Sequence, residues 1–114
     1  MKRKAFKKAV TPRLRIRARQ TQLRYATLAN VLQRAYEQAS VGKGAVRHAQ
    51  GKPFESQPML TMSEFLGTND GLLFQVIKKV QESKRLPPQD AVFELLGAIN
   101  YLAGAVIYLE ARRP

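Results

Sequence analysis

Cysteine is absent from the 114 residues, histidine occurs once, and no acidic residue precedes Glu37. The first absence excludes a disulfide framework, a thiolate nucleophile and any cysteine-held zinc or iron–sulfur centre. The second leaves His48 without the companions a metal site needs, so an exposed or phosphate-contacting imidazole is the expected role. Glu55 and Ser56 lie near it in sequence, but nothing in the spacing builds a catalytic set. No metal and no cofactor is called for. No apolar run follows the basic start, which argues against a secretory signal, although the same acid-free composition suits an organellar transit peptide. The reading adopted is a cytoplasmic protein.

The length fits one small domain by the usual prior of roughly 100–200 residues. Hydrophobic residues make up 45% and charged ones 25%, so the chain is neither disordered throughout nor embedded in a membrane. Its charge is the anomaly. Twenty Lys and Arg against eight Asp and Glu leave +12 at pH 7, which points to a polyanionic partner. Ten of those cations fall before residue 25: Lys2, Arg3, Lys4, Lys7, Lys8, Arg13, Arg15, Arg17, Arg19 and Arg24. The remainder is nearly neutral. Residues 1–24 therefore read as a basic arm for DNA or RNA, and residues 25–114 as a helical body.

Thr11-Pro12 has the form of a helix start, and Leu14, Ala18, Thr21, Tyr25, Leu28, Leu32, Ala35, Tyr36 and Ala39 fall in one helical stripe. One helix over about 12–39 is expected, which makes the arm partly helical from about residue 12. The alternation of Arg with apolar residues over 13–19 offers a strand as the competing reading. Residues 40–60 break every periodicity and form a basic, glycine-rich loop. Gly42, Gly44 and Gly51 permit positive φ and an anion-binding concavity, with Lys43, Arg47, His48 and Lys52 as candidate phosphate ligands. The spacing is not that of a P-loop.

Thr61 and Glu64 have capping-box spacing, Leu60 and Phe65 match a hydrophobic staple, and Gly67 suits a helix stop. A short helix is predicted there. Asn69 or Thr68 then caps a helix over about 70–85 whose apolar face is Leu72, Leu73, Val76, Ile77 and Val80. Lys78, Lys79, Lys84 and Arg85 give it a weaker basic patch. Pro87-Pro88 opens a last helix, over about 88–112, with only Asn100 plainly polar between Leu95 and Leu109. That run is short for a membrane span of about 20 residues, so a buried central helix is expected and no membrane partner. Val92, Leu95, Ile99, Leu102, Val106 and Leu109 make its broad apolar side. Gly97, Tyr101, Gly104 and Tyr108 lie on another side, where the glycines permit close approach of a second backbone. This glycine side is the candidate interface of a homo-oligomer. Asp90 and Glu94, one turn apart, suit the positive end of a helix without any metal. The fold class is all-α: three long helices and one short one, preceded by a basic arm.

The run from Gly42-Lys43-Gly44 through Arg47-His48-Ala49, Gly51-Lys52-Pro53-Phe54, Lys78-Lys79 and Glu94 to Tyr101 resembles small helical proteins of tailed bacteriophages. In layout, residues 25–110 are also distantly similar to the all-α nucleoside-triphosphate pyrophosphohydrolases of the MazG type. Those enzymes hold magnesium with paired acidic motifs on two helices. Here Asp90 and Glu94 stand for one motif, and Glu37, the lone acid of the first long helix, leaves the other missing. The resemblance thus implies nucleotide or phosphate binding more than hydrolysis. Three functions follow as expectations: a non-catalytic nucleic-acid-binding protein, such as a phage accessory or host-interfering factor; a nucleotide-binding or nucleotide-hydrolysing oligomer; and an inhibitor of a host nucleic-acid enzyme.

Overall fold

The computed structural model describes residues 23–41 and 51–112, and every regular element among them is helical. The arm up to residue 22, and with it the 12–22 portion of the expected first helix, lies outside the described residues. In order, the elements are α1 (Ala26–Ser40), a 3₁₀ turn (Phe54–Ser56), α2 (Pro58–Leu66), α3 (Asp70–Ser83) and α4 (Pro88–Glu110). The chain divides into two units, Met1–Val31 and Leu32–Pro114, and the packing below belongs to the second. Four helices, one of them short, give the small all-α architecture that the periodicities predict.

Local chemistry sets the ends of the helices. α2 begins three residues before the predicted cap, because Pro58 occupies the first helical position, where its missing N–H costs nothing. Thr61 is consequently inside the helix, its hydroxyl donating to the Pro58 carbonyl at 3.3 Å. The hydrophobic staple is not made either: Phe65 is 89% exposed. Gly67 does end the helix, in the left-handed region at φ 76°, with its N–H on the Ser63 carbonyl at 2.8 Å. At the start of α3 the two expected caps share the work: Asn69 holds the cap position with no side-chain bond of its own, and the Thr68 hydroxyl accepts from the Asp70 N–H at 3.1 Å. α3 ends at Ser83 through tight turns over Lys84–Leu86, and Pro87-Pro88 launches α4 with Pro88 at the first helical position.

α3 and α4 pack antiparallel across the short 84–87 turn and make the main contact of the fold, with α2 lying against both. The core is Leu60 of α2, Leu72 of α3, and Ala105 and Tyr108 of α4, flanked by Phe54, Met59, Tyr101 and Ile107. This distribution reverses the expectation for α4. Its buried residues are Leu96, Gly97, Ala98, Gly104, Ala105 and Tyr108, small side chains in the main, while Val92, Leu95, Leu102, Val106 and Leu109 are exposed. The same holds in part for α3, where Leu72 is buried but Leu73, Ile77 and Val80 are exposed. Small residues on the inner face leave room for the side chains of the neighbouring helices, with Lys79 lying over Gly97 and Leu72 and Met59 over Gly104.

Candidate functional site

Three places concentrate chemistry. The first is the Lys79–Glu94 pair between α3 and α4, with Nζ to Oε1 at 3.2 Å and both side chains about one-fifth exposed. The lysine ammonium stands 5.9 Å from the centre of the Tyr101 ring, and its stem covers Gly97. Glu94 is therefore engaged by a cation, and among the described residues no group of three metal-ligating side chains forms. The Asp90–Glu94 spacing serves helix packing and the helix N-terminus.

The second is at the far end of α4. Arg112 makes a bidentate pair with Glu64 of α2, at 2.9 and 3.1 Å, donates to the Tyr108 carbonyl at 3.2 Å, and lies 3.6 Å over the Tyr108 ring. The guanidinium hydrogen bonds hold the Glu64 carboxyl below its ordinary range, and the same bonds push Arg112 up. Planar, forked donation suits arginine here, and it pins the last turn of α4 to α2.

The third is a groove of about 740 Å³ walled by α1 and the second half of α4. Leu32, Ala35, Tyr36 and Ala39 line it from α1, Ile99, Ala103 and Ile107 from α4, and Phe54 from the 3₁₀ turn. Its polar groups are few: Asn100, Gln57, Ser40 and Lys52. Asn100 donates from Nδ2 to the Ala35 carbonyl at 2.9 Å, and Gln57 donates from Nε2 to the Lys52 carbonyl at 3.0 Å. A mostly apolar recess with a few convergent polar groups is the usual form of a small-ligand site, and this volume is in the ordinary range.

The structure places the predicted site residues unevenly. Of the cationic arm only Arg24 is described, exposed at the start of the first helical stretch, and the other nine cations lie outside the described residues. Of the phosphate loop only Lys52 is described; it lines the groove beside Gly51, whose φ of 70° shows one of the expected positive-φ glycines. Lys43, Arg47 and His48 lie outside the described residues. The glycine face of α4 is corrected: it does not wait for a second subunit. A Cβ on Gly97 would meet Lys79 Cε at 3.2 Å, and one on Gly104 would meet Met59 Cε at 3.4 Å and Leu72 at 3.7 Å. Tyr108 is buried and Tyr101 half-buried, so α2 and α3 of the same chain already fill that face. The close approach foreseen at Gly97 and Gly104 is made by side chains of the same chain, Lys79 and Gln38 at the first and Met59 and Leu72 at the second.

Sequence reasoning missed the groove, which depends on how α1 sits against α4. It also missed that the aliphatic side of α4 is left outside. No family model, no curated protein and no solved structure matches the chain. The functional reading therefore rests on the residues themselves.

Proposed function

We propose that this protein binds nucleic acid without catalysis, through the basic segment 1–24 carried on a nearly neutral helical body. The observation that supports it is the partition of charge: ten cations and no acid up to residue 24, against ten cations and eight acids beyond it. One-signed charge at that density matches a phosphate backbone, and it acts through counterion release. Among the described residues the body offers less. Two of its cations, Lys79 and Arg112, are committed to carboxylates. The exposed Lys78, Lys84 and Arg85 are a weak supplement on α3 and the turn after it.

The test is salt-dependent binding of a DNA duplex and an RNA of equal length by the full chain and by residues 25–114. The body retains its core on truncation, since Leu60, Leu72, Ala105 and Tyr108 all lie beyond residue 24. The full chain is expected to lose affinity steeply with salt, with a slope of log K on log salt of about −0.9 per phosphate neutralised on B-DNA. Truncation should remove most of that slope. Equal affinity and slope in the two proteins would overturn the assignment.

The groove favours a second reading, a nucleotide or another phosphate-bearing small molecule with its apolar part against Tyr36 and Phe54 and its charge toward Lys52. Calorimetric titration with nucleoside triphosphates tests it. Lys52→Ala should weaken any such binding by about 1.5–3 kcal/mol, the range for hydrogen bonds to charged groups. Absence of heat with every nucleotide removes this reading and leaves the first intact.

A further inference from the structure

The aliphatic face left outside on α4 has a regular composition. Val92, Leu95, Ile99, Leu102, Val106 and Leu109 follow one another at spacings of three, four, three, four and three residues, the a and d positions of a heptad. Every a position is β-branched (Val92, Ile99, Val106) and every d position is leucine (Leu95, Leu102, Leu109). That division is the one that selects two parallel strands over three or four. The five seam residues other than Ile99 are 41–58% exposed, and Ile99 is half-buried at the edge of the groove. The opposite face of the helix carries the Lys79–Glu94 pair, the buried glycines and Tyr108, so the seam points away from α3.

We propose that a second copy of this chain occupies this face, pairing α4 with α4 as a parallel, two-stranded coiled coil. Three properties commit the face to that occupant. With neighbouring Ala103 and Glu110, the strip exposes on the order of 500 Å² per copy, so a pair buries at most about 1,000 Å², the size at which a biological interface begins. The positions that flank a parallel seam within α4 are Ala91, Leu96, Ala98, Ala103, Ala105 and Glu110, of which Leu96, Ala98 and Ala105 are buried in the same chain; Glu110 alone is charged and would face Ala105 of the other copy, so the pairing brings no two like charges together. A lipid surface is the poorer fit: α4 is long and apolar enough to cross a bilayer, yet its charged residues are Asp90, Glu94 and Glu110, with no Lys or Arg to meet anionic headgroups. The proposal stands apart from the nucleic-acid reading, because the seam involves no residue of the arm.

The experiment is sedimentation of the full chain at tens of micromolar, free of nucleic acid, beside Leu102→Glu, with circular dichroism to confirm that both are helical. Leu102 is exposed in the single chain, so the variant keeps the fold, while a carboxylate in the seam should weaken association about tenfold or more. Dimer for the natural chain and monomer for Leu102→Glu is the expected result. A natural chain that stays monomeric, or a variant that stays dimeric, overturns the proposal. Introduced thiols fix the orientation, since the chain has no cysteine of its own. Val106→Cys alone should cross-link to itself on mild oxidation, because facing core positions of a parallel pair lie within disulfide reach of about 6 Å. Cross-linking that occurs only when Leu95→Cys and Val106→Cys are mixed would show an antiparallel pair and overturn the parallel one. Co-sedimentation of a monomeric chain with phosphatidylcholine–phosphatidylglycerol vesicles, lost in Leu102→Glu, would give the face to lipid instead.

Discussion

The Lys79 ammonium sits 3.2 Å from the Glu94 carboxylate while the stem of the same lysine forms the wall against Gly97, one turn further along α4. One side chain thereby supplies both charge and packing at the α3–α4 contact. Lys79→Ala should destabilise the body by about 1–2 kcal/mol, between the values for exposed and for buried pairs. The two functions should also couple. Gly97→Ala places a methyl 3.2 Å from the lysine stem in the natural chain but keeps only the ordinary 3.4 Å contact with Gln38 Nε2 once the stem is gone. In a double-mutant cycle by urea unfolding, its cost should therefore be lower in the Lys79→Ala background.

Gly104 separates two kinds of substitution. The nearest atom to an added Cβ is the flexible end of Met59 at 3.4 Å, an ordinary contact, so Gly104→Ala should be neutral or stabilise by up to about 1 kcal/mol through lower backbone entropy in the unfolded chain. Gly104→Leu drives a branched side chain into Leu72 and Met59 and should cost about 1–3 kcal/mol. The loss should show as a lower urea midpoint with the seam-mediated association of the remaining folded protein unchanged.

The sequence carried the order and type of the described helices and the approximate limits of the last three, because proline at helix starts, the glycine stop at Gly67 and helical periodicity are local signals; the first, expected over about 12–39, begins at Ala26 after a turn at Tyr25. It misplaced the start of α2 because Thr61 and Glu64 imitate a capping box, while Pro58 three residues earlier already supplies a helix start. It inverted α4 for a different reason. Periodicity marks an apolar face but does not say whether that face looks inward, and hydrophobicity ranks Leu102 and Val106 above Gly104 and Ala105 as core. The contact is decided by how near α3 can come, and small residues set that distance. The proposed sites in the arm and the 40–60 loop rest on charge alone, and of the residues named for them only Arg24 and Lys52 are described. The groove was not legible, since its walls come from Leu32–Ala39 and Ile99–Ile107, distant segments joined by a tertiary hydrogen bond between Asn100 and Ala35.

That hydrogen bond gives a further prediction. Asn100 Nδ2 donates to the Ala35 carbonyl at 2.9 Å from a partly buried position, tying α1 to α4 beside the groove. Asn100→Ala should cost about 1 kcal/mol. Amide hydrogen exchange should accelerate over 32–40 more than over α3, and Asn100→Asp should do the same, since a carboxylate cannot donate to that carbonyl.

Glu64 and Arg112 predict a pH effect. The carboxyl is held below its ordinary range by Arg112, so the pair contributes stability that is present above the unfolded pKa of glutamate. It is lost as the pH falls through the lowered folded value. Both groups are exposed, which keeps the effect small. Glu64→Gln should lower the melting temperature slightly at pH 7, and the difference should shrink as the pH falls below the ordinary glutamate range.

On the proposed pairing of α4 with α4, the arrangement of that helix would tie folding to abundance. A helix that buries mainly glycine and alanine against its neighbours, and keeps Val92, Leu95, Leu102, Val106 and Leu109 outside, would hold part of its hydrophobic driving force back until a partner arrives. Anything that binds only the native state shifts the unfolding equilibrium by mass action, and here that agent would be another molecule of the same protein. Thermal stability should then climb with protein concentration, and cells making little of the chain would hold a larger unfolded share, exposed to proteolysis. Gene dosage would act as a threshold on how much usable protein accumulates.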